Sequence, residues 1–219
     1  LTLIVAGDAG SIALRPWANT SIGIHRFLAF DSALTAHQVN STAADYDYVW
    51  GASAKYVQLW KAHNPGLIAS VYIPMTRDFR VCYTEPQPEG SEPFNWKRNL
   101  SWWQEHHPSW IVYKADRKTP AYQYDDTCCV PLDISNPLVQ QFQFNNCTGP
   151  AAAVGYDAVA IDNYGFTNGF GGAGVWRDGN WVQLYSASRS DEKYVSDVVT
   201  WTKTAKAALH AKGLLMIPN

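Results

Sequence analysis

The feature that most constrains the fold is an asymmetry in loop length. Short apolar runs alternate with segments of helical periodicity. Residues 22–30, 46–50, 67–73, 110–114, 158–162 and 214–217 read as strands. Residues 34–44, 54–63, 97–107 and 191–212 read as helices, with one more beginning at Pro137 behind Ser135-Asn136. Residues 1–6 read as a further strand or an ordered arm. Helix-to-strand turns are short: 64–66, 108–109, 155–157 and Gly213. The later strand-to-helix connections are long: 74–96, 115–136 and 163–190. Apolar strands between helices imply a parallel sheet covered by helices. The loop mass then gathers at the C-terminal ends of the strands, the active-site face of α/β folds and of the (β/α)8 barrel. No GxGxxG or P-loop follows a strand, which argues against a dinucleotide or NTP fold.

The expected fold class is therefore α/β, a (β/α)8 TIM-barrel-like single domain over residues 1–219. Six or seven barrel-type strands are visible. A complete barrel needs roughly 200–250 residues, most often about 250. The expectation is thus a barrel incomplete at its C-terminus, finished by further chain or by another subunit. In the longest helix Ser190 reads as the cap and Gly213 as the stop. Tyr194, Val195, Val198, Thr202, Ala205, Ala208 and Leu209 read as its apolar stripe.

Composition narrows the function. At 47% hydrophobic the chain can fill a core, and 10 Trp, 12 Tyr and 8 Phe are too many for a disordered chain. Charged residues are 16%, below the usual ~25%. A net charge of −2 without a basic block argues against a nucleic-acid partner. No window approaches 18 apolar residues, so no membrane-spanning helix is expected. Four cysteines suggest two bridges, joining Cys128 and Cys129 to Cys82 and Cys147 in either of two ways. No CxxC spacing supports a metal site instead. Four sequons begin at Asn19, Asn40, Asn99 and Asn146. With the even cysteine count they point to a secreted, glycosylated, extracellular protein. The first residues lack the basic region of a signal peptide, as in a mature form.

The strongest chemical signal is Asp162-Asn163, where a buried strand opens onto a Gly-rich loop. A carboxylate there is the default catalytic position of this fold class. Its bland role is to cap the loop through backbone N–H groups. Asp116, past the 110–114 strand, is the second carboxylate considered. It also suits pairing with Arg117 or Lys118. Tyr113 and Lys114 point to the same mouth. Asp133 either lines the site or fixes the following helix start. His25 and Arg26 are adjacent and face opposite sides of the first strand, and Asp31 ends it. Trp50 and Tyr72 sit near strand ends, where aromatic faces stack on sugars or simply fill a core. Glycoside hydrolysis needs two carboxyls, about 5–5.5 Å apart for retention and about 6.5–9.5 Å for inversion. Asp162 with Asp116 is the pair on offer. No GxSxG or HExxH competes.

Three runs carry a family resemblance: WIVYKADRKTPAY at 110–122, VPLDISNP at 130–137 and GYDAVAIDN at 155–163. Together with Gly174-Val-Trp176, 181–185 and 197–201, they resemble glycoside hydrolases of the polygalactosaminidase-like kind. The likeness is greatest to hypothetical glycosyl hydrolase family 15. It spans roughly residues 22–219, and its middle third is the most specific part. It implies a TIM barrel and carbohydrate hydrolysis, and its motifs mark Asp162 and Asp116. Members of the family continue past the 214–219 strand through further acidic strands. The implied partner is a polysaccharide or glycan. No metal or organic cofactor is implied, because two carboxylates suffice. The alternative is a non-catalytic carbohydrate-binding or structural protein on the same barrel. Self-association into an oligomer or fibre would then cover its exposed strands.

Overall fold

The computed structural model describes residues 27–29, 34–78, 99–123 and 129–219. Residues 1–26, with Asn19, His25 and Arg26, lie outside them, as do Asp31, Cys82 and Cys128. Strand β1 is Phe27–Ala29, followed by α1 (Ala36–Asp45) and β2 (Tyr48–Trp50). Next come α2 (Ala54–His63), β3 (Ile68–Pro74) and the short β4 (Arg77–Asp78). Helix α3 is Leu100–His106, β5 is Tyr113–Lys114 and β6 is Val130–Pro131. Helix α4 (Pro137–Gln141) runs into a π-helical segment, Phe142–Cys147, before α5 (Ala151–Val154). The chain then forms β7 (Ala158–Asp162), the hairpin β8 (Ala173–Arg177) and β9 (Asn180–Tyr185), α6 (Glu192–His210) and β10 (Leu215–Pro218).

Local chemistry explains the boundaries. Thr35 closes a capping box with Gln38 at the start of α1. Asn99 caps α3 by accepting from the Trp102 N–H. Asn136 caps α4 with Pro137 in its first turn. Helix α6 is capped by Asp191 rather than Ser190, because the Asp191 carboxylate accepts from both the Tyr194 and Ser186 N–H groups. Among the described residues no helix is long and apolar enough to cross a membrane.

Five strands form one parallel sheet in the order β1-β2-β3-β7-β10. One face carries Val49, Ala69, Val71, Ile73, Val159 and Ile161 and packs on α1, α2 and α6 in the main core. The alternate residues Tyr48, Trp50, Tyr72 and Ala160 form a separate cluster on the other face. At the N-terminal ends Asp157 accepts from Lys61 Nζ at 2.5 Å and from the Ala69 N–H at 2.8 Å, tying α2 to the sheet.

One expectation, the α/β class with a parallel sheet, is met without a closed barrel, and one is corrected. No closed barrel is seen among the described residues, because β1 and β10 lie at opposite edges of an open sheet. The 110–114 run is not a parallel strand either. Trp110 ends a 3-10 turn, Ile111 bridges Leu132, and β5 pairs antiparallel with β8. The apolar run is satisfied by a second core of Trp103, Ile111, Tyr113, Val130, Leu132 and Val139. A short apolar run shows that a segment is buried, not which sheet it joins. In the 163–190 connection lies an unforeseen hairpin. Asp178 (φ 51°) and Gly179 (φ 74°) form its left-handed two-residue turn. Gly174 sits at the bulge of this hairpin, where a Cβ would collide with the Trp181 ring and the Val182 carbonyl.

Candidate active site

The site is built where three neighbouring strands end. Parallel register sets Pro74 beside Asp162, Tyr72 beside Ala160, and Ile217 beside Ala160 from the other flank. The Met75 N–H donates to the Asp162 carbonyl and the Asn219 N–H to that of Ile161, locking β3 and β10 to the tip of β7. Tyr72 OH donates to Asp162 Oδ2 at 2.7 Å, and Asn219 Nδ2 donates to Oδ1 at 3.3 Å. Both carboxylate oxygens therefore act as acceptors. Asn163 takes a left-handed backbone (φ 53°), which Asn tolerates better than most residues. Its Oδ1 accepts from Arg77 Nε at 3.1 Å. Asp162 opens into a cleft of about 310 Å³, shared with Gln123, Tyr164, Thr167, Tyr194 and Asn219. Thr76 Oγ1 donates to Gln123 Oε1 at 2.6 Å and holds that wall. Tyr72, Arg77 and Asp78 line a narrow recess nearby.

The tyrosines on this face hold their protons tightly. Burial pushes the Tyr48 hydroxyl up to about 12, against a smaller opposing effect of its Ser70 hydrogen bond. Tyr72 is pushed up further, first by burial and then by its bond to Asp162 and that group's charge, with Arg77 opposing. Tyr72 is thus a lasting donor to Asp162. Because the folded state holds these protons more tightly than the unfolded chain, their stabilisation is complete below pH about 10. It is lost as pH rises from there towards the Tyr48 value of about 12. Urea midpoints measured across that window are expected to fall, and Tyr48→Phe to flatten the fall. An equally steep decline in Tyr48→Phe refutes the assignment.

The other positions expected from sequence fall elsewhere. Trp50 is buried on the Tyr72 face. Asp116 is exposed in the turn after β5, and its carboxylate accepts from the Lys118 N–H, the Thr119 N–H and Thr119 Oγ1. These bonds hold it down at about 2, the Thr119 hydroxyl contributing most. It is not among the residues lining the Asp162 cleft or the recess. Tyr113 is buried in the second core, and Lys114 is exposed. Asp133 is fully buried, and Arg177 donates to its Oδ2 at 2.8 Å. Its Oδ1 accepts from Ser135 N–H and Oγ, so it ties the hairpin to the start of α4. Arg77, Tyr164 and Asn219 were not foreseen. Only the adjacency of Tyr164 to Asp162-Asn163 offered a sequence signal. Asn40, Asn99 and Asn146 are exposed. Cys129 and Cys147 are buried; Cys129 is disulfide-bonded, and its partner in that bond is not Cys147. Among the described residues no cluster of three His, Cys, Asp or Glu is placed to hold a metal ion.

No family model matches the chain, and no curated protein matches it significantly. Solved structures do. The glycoside hydrolase domain of PelA from Pseudomonas aeruginosa superposes with a TM-score of 0.55 at 10% identity, covering 90% of this chain and 60% of that domain. A glutamate-to-alanine variant of the same PelA domain gives 0.54 at 11% identity, with the same coverage. A Paenibacillus sp. cycloisomaltooligosaccharide glucanotransferase, complexed with cycloisomaltoheptaose, gives 0.52 at 11% identity over 87% of this chain and 30% of that one. The chain therefore spans about 60% of the length of the PelA domain. At such identities the likeness is one of architecture, and it specifies no family: this chain has a glycoside-hydrolase-like fold.

Proposed function

We propose that this chain hydrolyses glycosidic bonds of a polysaccharide or glycan, with Asp162 as its principal carboxylate. The observation that carries the reading is the placement of Asp162: at the C-terminal tip of a parallel strand, held by Tyr72 and Asn219, and open to the cleft. A carboxylate that accepts on both oxygens suits a base, a nucleophile or a stabiliser of an oxocarbenium-like centre, not the proton donor. The donor comes from another group, and the turn that engages Asp116 makes it a poor one. The glycoside hydrolase neighbours support the substrate class, and the resemblance to hypothetical glycosyl hydrolase family 15 belongs to this same proposal. The exposed sequon asparagines support a secreted, glycosylated chain.

One observation favours the non-catalytic, carbohydrate-binding reading. Among the described residues lining the cleft, Asp162 is the sole carboxylate. Release of reducing ends from a broad polysaccharide panel decides between the two. Release by the wild type that is lost in Asp162→Asn supports hydrolysis. Binding without release supports the second reading.

A further inference from the structure

The large apolar side chains exposed among the described residues are Leu59, Leu138, Val199 and Phe166. The first three lie on helices α2, α4 and α6. Phe166 alone belongs to the loop that follows Asp162, and it is 49% exposed. Its chain neighbours Tyr164, Gly165 and Thr167 line the Asp162 cleft; Phe166 itself is not among the lining residues, and its ring lies against that of Tyr164.

The loop holds the ring there. Upstream, the Tyr164 hydroxyl lies 3.1 Å from Thr202 Oγ1 on α6. The Tyr164 and Phe166 rings meet edge to face at 5.8 Å and 74°. Downstream, the Asn168 N–H donates to the Arg189 carbonyl at 2.9 Å, and its Nδ2 donates to the carbonyls of Gly171, Ser186 and Ser188. Its Oδ1 accepts from the Phe170 N–H, and the buried Phe170 ring stacks on Tyr185 at 5.9 Å. A single exposed apolar side chain needs no explanation by itself. Here an aromatic ring is fixed in water between two pinned points, beside a carboxylate cleft. Ordering such a ring on binding costs little entropy, because its backbone is already set.

We infer that Phe166 is a stacking platform for a pyranose ring of the glycan that occupies the Asp162 cleft. The apolar C–H face of the sugar lies on the ring, while its hydroxyls remain towards water and the exposed Thr167. This assignment rests on the proposed function above and specifies how that cleft takes a ring beyond the one at Asp162. The cleft's ligand is then a chain of at least two pyranose residues.

Titration calorimetry with isomaltoheptaose and with the heptamer of N-acetylglucosamine tests it, in an Asp162→Asn background so that neither probe is consumed. Phe166→Ala is expected to weaken binding about tenfold, the scale of one aromatic contact. Phe166→Trp is expected to bind as tightly as the parent or more so. Equal affinity in the parent and Phe166→Ala overturns the platform and leaves the Asp162 reading intact. Equal losses in Phe166→Ala and Phe166→Trp also overturn it, since stacking is then not what binds. No binding of either probe by the parent, with no release from the panel by the wild type, overturns both readings together.

Discussion

Trp201→Ala is expected to lower the free energy of unfolding by about 4 kcal/mol, within the range for emptying a buried Trp site. Trp201 on α6 has no exposed surface. Its ring meets Phe144 edge to face at 5.0 Å, and its Nε1 donates to Gln143 Oε1 at 2.8 Å. Gln143 in turn donates from Nε2 to the Met75 carbonyl at 3.0 Å. A single side chain thus links the longest helix, the π-helical segment and the turn that leaves β3 beside Asp162. Truncation leaves a cavity and a buried amide oxygen without its donor, the second defect costing about 1–3 kcal/mol by itself. Trp201→Phe loses the same hydrogen bond but keeps part of the packing, so its loss should be smaller than that of Trp201→Ala. Chemical denaturation checks the prediction: the midpoint should drop with an unchanged slope. A drop below about 1 kcal/mol in Trp201→Ala means that the three elements are held together by other contacts.

Trp201 also shows where the sequence is legible and where it is not. Helix α2 and strand β7 match the segments read from periodicity, because each has its own stop signals: Asn64-Pro65-Gly66 after α2, and Asp162-Asn163 after β7. Periodicity runs the α6 stripe through Thr202, yet the buried residue is Trp201. Positions 198, 201 and 205 share the inward face. Thr202 sits at its margin, where its hydroxyl donates to the Val198 carbonyl. The 110–114 run is legible as buried but not as antiparallel, since its partner strand lies about 60 residues on, in β8. Asp178-Gly179 between alternating residues is a readable hairpin signal in a stretch whose length alone reads as loop. At the site, Asp162, Asn163 and Tyr72 stand out because strand ends can be read locally. Arg77 and Asn219 reach them only through the register of β3, β7 and β10, which no local pattern contains. Asp116 and Asp162 are both candidates in sequence because both follow apolar runs, with Asp162 the stronger. The difference is that one run joins the parallel sheet and the other joins the antiparallel one.

Asp162→Asn is expected to cut glycan release by at least about a thousandfold, as losing a positioned carboxylate in acid–base or nucleophilic work does. The fold should survive, since the amide keeps an oxygen for the Tyr72 hydroxyl and the carboxylate is only partly buried. Coincident urea midpoints for the wild type and the variant establish that. Tyr72→Phe removes the 2.7 Å donor without moving the strand. Its expected loss is smaller, about tenfold, in keeping with one hydrogen bond to a charged group. Asp116→Asn is the informative contrast. The Asp116 oxygens close their own turn, outside the residues that line the cleft. The variant should therefore release glycan at the wild-type rate, with at most a small loss of turn stability. If Asp116→Asn were instead as inactive as Asp162→Asn, the two carboxylates would work as a pair, and the turn would have to open to bring them together. If Asp162→Asn were fully active, the carboxylate at the tip of β7 would be only a clasp between β3 and β10. The cleft would then owe any sugar binding to its amide, hydroxyl and aromatic groups alone.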